Sequence, residues 1–207
     1  MEQILSKINE LKCSGIKSVI DERINEFMNF NKKSNSELFK ELCFCILTAN
    51  FTAERGIKIQ KAVGDGFLAL PEKQLARKLK KLGHRFPNAR AKYIVEARKH
   101  KDELKDLLLN KNEHEIRDWL AENIKGLGYK EASHFLRNIG FNNLAIADFH
   151  IIDVLAEHKL MEKPKTMTKK KYLEAEALLK EIASRCNLCL SELDLYLWYL
   201  ETGSVLK

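Results

Sequence analysis

Ile124-Lys125-Gly126-Leu127-Gly128-Tyr129-Lys130 is the stretch that decides how this chain is read. Glycine takes positive φ at little steric cost, so Gly-Leu-Gly marks a tight backbone turn. Such a turn leaves N–H groups pointing outward, where they can hold an anion such as a phosphate. Lys130 falls in the first turn of the helix that follows. There it meets the positive end of the helix macrodipole, a placement that costs rather than adds stability. Asp148 stands 148 − 130 = 18 positions further on, at the head of another helical pattern. An anion cradle, an amine and a carboxylate together point to chemistry on a nucleic acid. Read alone, each has a plainer meaning: a helix–helix corner, an exposed helix lysine and an N-cap.

The flanking sequence is helical nearly throughout. Ile4, Leu5, Ile8 and Leu11 recur at helical spacing, as do Ile16, Ile20, Ile24, Phe27 and Met28. Ser36-Glu37 opens Leu38-Phe39-Lys40-Glu41-Leu42-Cys43-Phe44-Cys45-Ile46-Leu47, apolar on most sides and therefore predicted to be a central core helix. Further helices are predicted to start near Thr52, Pro71, Pro87, Glu113, Tyr129, Asp148, Lys169 and Ser191. No sustained period-2 alternation argues for strands. The expected fold class is all-α. Turns are expected at Gly64-Asp65-Gly66, Gly83 to Pro87, Gly126 to Gly128, Gly140 to Asn143 and Pro164 to Thr168. The lysine-rich stretch Lys163–Lys171 reads as a solvated loop.

Composition narrows the function classes. The chain has 207 residues, 45% hydrophobic and 31% charged, enough for a substantial core. There is no run of 18 or more apolar residues and no basic-then-apolar leader, so the expectation is an intracellular protein without a membrane partner. A net charge of +7 favours polyanions through phosphate neutralisation. Five cysteines, an odd number, argue against a disulfide framework. Cys186-Asn187-Leu188-Cys189 has the spacing of half a zinc site, but no second pair lies at a matching distance.

Asn123 to Leu136 reads as helix, Gly-x-Gly turn, helix, the pattern of a helix-hairpin-helix, in which backbone N–H groups hold a DNA phosphate without reading sequence. Gly-x-Gly-x-Lys followed by Asp148-Phe149-His150 resembles the helix-hairpin-helix DNA glycosylase superfamily, with its Gly/Pro-rich loop and catalytic Asp. Its lyase branch ends the hairpin in a catalytic lysine, which Lys130 matches. Lys125 departs from the proline that many relatives carry before the first hairpin glycine. The likeness extends to Leu42–Thr52, where Asn50 matches a polar residue that fills the gap left by a flipped base. Leu82-Gly83-His84-Arg85-Phe86, then Ala89 to Ile94, resembles the loop that wedges against the opposite strand, with Arg85 and Phe86 at its tip. The C-terminal Glu192 to Leu200, ending Gly203-Ser204-Val205-Leu206-Lys207, is similar to the type-2 archaeal 8-oxoguanine DNA glycosylases/AP lyases.

The resemblance implies two helical lobes with the active-site cleft between them. One lobe would be approximately residues 36–122; the other would be 1–35 plus 123–207, holding the hairpin (123–136) and Asp148. It implies Lys130 and Asp148 as catalytic residues, Gly126, Gly128 and His150 as phosphate contacts, and Trp198 and the terminal Lys207 at the base pocket. The implied partner is damaged double-stranded DNA, bound by a monomer that is chromosome-associated in an archaeal or prokaryotic cytoplasm. The four-cysteine loop of the iron–sulfur branch is missing, and neither a metal nor another cofactor is expected. Two other functions fit the same residues: a non-catalytic helix-hairpin-helix DNA-binding module, and a glycosylase for oxidised pyrimidines.

Overall fold

The structure, a computed structural model, describes residues Met1–Lys207 and is all-α, with thirteen α-helices, one 3₁₀ segment and no strand. In order these are α1 (Glu2–Lys12), α2 (Ile16–Phe30), α3 (Asn35–Thr48), α4 (Ala53–Val63), α5 (Gly66–Ala69), α6 (Glu72–Lys81) and α7 (Pro87–Ala97). The 3₁₀ segment Arg98–Glu103 follows, then α8 (Leu104–Asn110), α9 (Glu113–Asn123), α10 (Tyr129–Asn138), α11 (Phe149–Glu157), α12 (Lys169–Cys186) and α13 (Leu190–Thr202). The chain forms two compact units, one of Met1–Asn29 with Gly140–Lys207, the other of Phe30–Ile139.

In the unit Phe30–Ile139, α3 is the hub. Its run Glu41–Ala49 is buried on every side, as its all-round apolar character predicts. The N-cap is Ser34, whose hydroxyl accepts from the Glu37 N–H; the helix thus begins two residues before the expected Ser36. The one carboxylate in that run, Glu41, is answered by Asn138 Nδ2 at 2.7 Å and Gln60 Nε2 at 3.0 Å. Arg137 holds the Asn138 amide oxygen through two N–H donors. This buried polar network pins α10 to α3 and α4, since any member left alone would carry its full desolvation cost.

Packing of α10 on α3 and α9 puts the hairpin in this unit. The sequence placed residues 123–136 with the other lobe. The physical reason is the apolar face Ala132, Phe135, Leu136 and Ile139, wholly buried, which completes the core around α3. Three elements went unpredicted: α5, which begins in the turn expected at Gly64–Gly66, the 3₁₀ segment, and α8 into which it leads. Arg98 caps the first of these from a distance, donating to the Phe67 and Leu70 carbonyls at 2.8 Å each.

In the other unit, α1 and α13 pack on α12, and α11 packs on α13. Residues 144–147 are buried and without regular secondary structure between Gly140 and α11. Tyr172 Oη donates to the Ala145 carbonyl at 2.5 Å, and the Ala145 N–H donates to Glu176 at 3.0 Å. Both anchors stand on α12. Gly140 sits at φ +100, where a Cβ would lie 3.0 Å from the Met28 Cα, so chain crossing at the end of α2 requires glycine. Lys163 in the lysine-rich loop pairs with Asp153 at 2.5 Å. No helix is long and apolar enough to cross a membrane.

Candidate active site

The hairpin turn follows the sequence reading closely. Gly126 takes φ +89 and Gly128 is the extended N-cap of α10. Ile124 and Leu127 are buried and fasten the turn to the helices, as apolar residues at those positions should. The turn uses some of its own donors: Leu127 N–H donates to the Ile124 carbonyl, and Gly128 N–H to Glu131 Oε2 at 3.1 Å. The N–H groups of Gly126 and Lys130 have no acceptor in the chain and are left for an anion. Lys125 pairs with Glu96 of α7 at 3.0 Å, a tie that proline could not make.

Tyr93 of α7 lies against Gly126 so closely that a Cβ there would sit 2.6 Å from the ring. Gly126→Ala therefore meets both a left-handed backbone and a steric overlap and should cost about 1–3 kcal/mol. Gly128→Ala, with φ −99, should cost less than about 1 kcal/mol, the difference between glycine and alanine at an N-cap. Thermal unfolding of the two variants checks the contrast.

Lys130 is half-buried, and its side chain makes no hydrogen bond or ion pair. A lysine without a carboxylate partner keeps its amine available. The α10 helix beside it is braced by Arg117, which lies 4.8 Å over the Tyr129 ring and donates to Ser133 at 3.4 Å.

Asp148 caps α11: its Oδ1 accepts from the Ile151 N–H at 3.0 Å, while its other oxygen has no partner. The segment leading into it is anchored to α12 through Ala145, and the cap bond ties the carboxylate to the first turn of α11. His150, one helical position on from Phe149, has its Nδ1 3.7 Å from the Glu201 carboxylate of α13 and stands edge-on to Trp198. Trp198 is half-buried, and its Nε1 is enclosed without an acceptor. Phe149 is exposed beside Asp148, although apolar. Lys207 is half-buried. Glu201 was not singled out from sequence; its i+3 spacing from Trp198 on one helix face is the signal that could have found it. Tyr172 and Glu176, which hold the segment before Asp148, carry no local signal.

Asn50 and the pair Arg85–Phe86 lie on two segments that the fold ties together through neighbouring residues, Phe51 on His84 and Ala49 on Arg90. Asn50 is exposed at φ +55 in the turn after α3. Arg85 stacks on the exposed Phe86 ring, 5.0 Å from its centroid, ahead of α7. Lys130 and Asp148 belong to different compact units. Cys186 and Cys189 stay free, and burial pushes both thiols up; no cluster of His, Cys, Asp and Glu is arranged to hold a metal ion.

An all-α chain whose Gly-x-Gly turn leads into a helix bearing an unpaired lysine is of the helix-hairpin-helix class. Residues 20–188 match the Ogg-HhH family, 8-oxoguanine DNA glycosylase, and the chain belongs to that family. It is 58% identical over 206 residues to the 8-oxoguanine DNA glycosylase/AP lyase of Methanocaldococcus jannaschii, covering 99% of each chain. It is 50% identical over 209 residues to the enzyme so named in Korarchaeum cryptofilum, covering 100% of this chain and 99% of that one. The M. jannaschii enzyme in complex with 15mer DNA containing 8-oxoguanine superposes with a TM-score of 0.97 at 57% identity, covering 99% and 100% of the two chains. The Thermotoga maritima 8-oxoguanine DNA glycosylase gives a TM-score of 0.95 at 42% identity, covering 100% and 99%.

Proposed function

We infer that this chain excises 8-oxoguanine from duplex DNA and then cleaves the strand, as an 8-oxoguanine DNA glycosylase/AP lyase. The observation that carries the reading is full-length likeness to enzymes of that name, joined to an unpaired lysine at the end of the hairpin.

The chemistry follows from what the reaction demands. A base in a duplex hides its sugar carbon, so the nucleotide must be turned out, at a cost of a few kcal/mol. Asn50, Arg85 and Phe86 would offset that cost by filling the space left behind. The N–H groups of Gly126 and Lys130, with His150, would hold the phosphates on either side. The neutral Lys130 amine then attacks C1′ of the deoxyribose. The bond from C1′ to N9 breaks and its electron pair leaves with the base. Asp148, with one oxygen uncommitted, stabilises the cationic sugar and takes the proton that the amine sheds. Opening of the sugar ring gives a Schiff base on Lys130. Loss of a C2′ proton then expels the 3′ phosphate and nicks the strand. The reaction needs only an amine, a carboxylate and a dry pocket.

Selecting 8-oxoguanine over guanine is a single-proton problem. The oxidised base bears an N–H at position 7, where guanine offers only a lone pair. An acceptor there rewards the lesion and repels guanine. We assign that acceptor to the terminal carboxylate of Lys207 and a flat stacking face to Trp198. Extending the chain past Lys207 with a short polar tag should then lower the preference for 8-oxoguanine over guanine by roughly tenfold or more while leaving the melting temperature unchanged. Competition between the two duplexes measures it, and undiminished preference in the tagged protein would remove Lys207 from the pocket. The protein acts as a monomer on chromosomal DNA in this reading.

A further inference from the structure

Two loops of the unit Phe30–Ile139 enter the duplex in the reading above, the turn at Asn50 and the tip Arg85–Phe86. One side chain joins them. The Phe86 N–H donates to His84 Nδ1 at 3.0 Å, so that nitrogen must present its lone pair. The hydrogen therefore sits on Nε2, which lies 3.0 Å from the Leu47 carbonyl at the end of α3 and donates to it. A single neutral tautomer satisfies both partners. The ring is 5% exposed and stacks on Phe51 at 4.3 Å. Arg90 makes a parallel tie, donating from Nη2 to the Ala49 carbonyl at 2.5 Å with its guanidinium over the Phe86 and Tyr93 rings. Tyr93 in turn abuts Gly126, so α7 connects both loops to the hairpin.

We propose that His84 is a positioning residue for the strand-entering loops, its neutral Nε2–H tautomer clamping Arg85–Phe86 to the turn that bears Asn50. The proposal rests on the reading of Asn50 and Phe86 as residues that enter the duplex. It makes the clamp sensitive to acid. A proton on Nδ1 would confront the Phe86 N–H, donor against donor. Burial, then Arg90 and Arg55, hold the imidazole below its ordinary range, with the Leu47 carbonyl pulling the other way. Arg90 faces it from α7 and Arg55 from α4, Arg85 is its chain neighbour, and no carboxylate is among the groups that act on it. Because the folded value lies below the unfolded one of about 6.5, the clamp's contribution is complete above that pH and is lost only as pH falls through the lower folded value, where Nδ1 takes its proton.

The test uses the full chain with an 8-oxoguanine duplex carrying 2-aminopurine in the opposite strand, next to the lesion, whose fluorescence rises when its neighbours unstack. The signal is followed from about pH 7.5 down to the lowest pH at which wild type stays folded, in wild type, His84→Phe and Phe86→Ala. His84→Phe keeps a ring against Phe51 but neither polar bond. Its single-turnover excision should fall roughly 10- to 100-fold, and its fluorescence should be low and flat with pH where wild type declines in acid. The same pH profile in His84→Phe as in wild type would overturn the proposal. An unchanged signal in Phe86→Ala would instead overturn the strand-entry reading beneath it. Ring ¹⁵N shifts of wild-type His84 give an answer independent of any variant's folding. The Nε2–H tautomer at neutral pH is expected, and an Nδ1–H or doubly protonated ring would refute the clamp.

Discussion

Lys130→Gln should eliminate the covalent adduct that borohydride traps between enzyme and an 8-oxoguanine duplex, and lower strand cleavage by roughly a thousandfold or more. Glutamine keeps most of the side-chain length, but its amide nitrogen has no lone pair available to attack C1′. The variant should fold normally, because the lysine makes no hydrogen bond or ion pair whose loss could matter. Removing a cation from the first turn of α10 should even relieve a small repulsion with the helix dipole, on the order of 0.3–1 kcal/mol at low salt. Duplex binding should persist, since the hairpin N–H groups are backbone. Trapping that survives in Lys130→Gln would mean that another amine is the nucleophile. Strong duplex binding by the wild type with no lesion ever cut would favour the non-catalytic module. A panel of lesions in the same trapping assay separates 8-oxoguanine from oxidised pyrimidines.

Asp148→Asn is the second large expected effect, and it separates two roles that one carboxylate fills. Asparagine caps helices as well as aspartate does, so the bond to the Ile151 N–H survives and stability should change by less than about 0.5 kcal/mol. The negative charge beside the developing cationic sugar is lost, and with it the acceptor for the lysine's proton. Excision should drop on the order of a hundred- to a thousandfold. Asp148→Ala should show the same loss of rate together with about 1 kcal/mol of lost stability from the missing cap. Single-turnover rates and denaturant unfolding of both variants give the comparison. An Asn variant that cuts at the wild-type rate would reduce Asp148 to a helix cap.

The hairpin, the core helix α3 and the helix starts at Pro87, Glu113 and Lys169 were legible in the sequence, because each is written in local chemistry. Glycine at φ +89, an all-round apolar run and a proline at the first helical position need no distant partner to be read. Asp148 as a cap was legible for the same reason. The start of α3 was misplaced by two residues because Ser34 and Ser36 are chemically alike, and only the backbone geometry at Ser34 selects between them. The 3₁₀ segment and α8 were not legible, since Arg98–Asn110 mixes charge and leucine without a clean period.

What the sequence alone determined is the class of helices, the turn chemistry and, by resemblance, the reaction. Those depend on residue type and spacing within one or two turns of chain. Tertiary structure decided the rest. It put the hairpin in the unit built on α3, because the buried face of α10 and the Glu41–Asn138 bond outweigh its nearness in sequence to Asp148. It also turned His84, an unremarked residue in a loop, into the bond between two loops that are 37 positions apart. A hydrogen bond to a carbonyl that far along the chain leaves no periodicity or motif, because its partner is backbone and every residue has one.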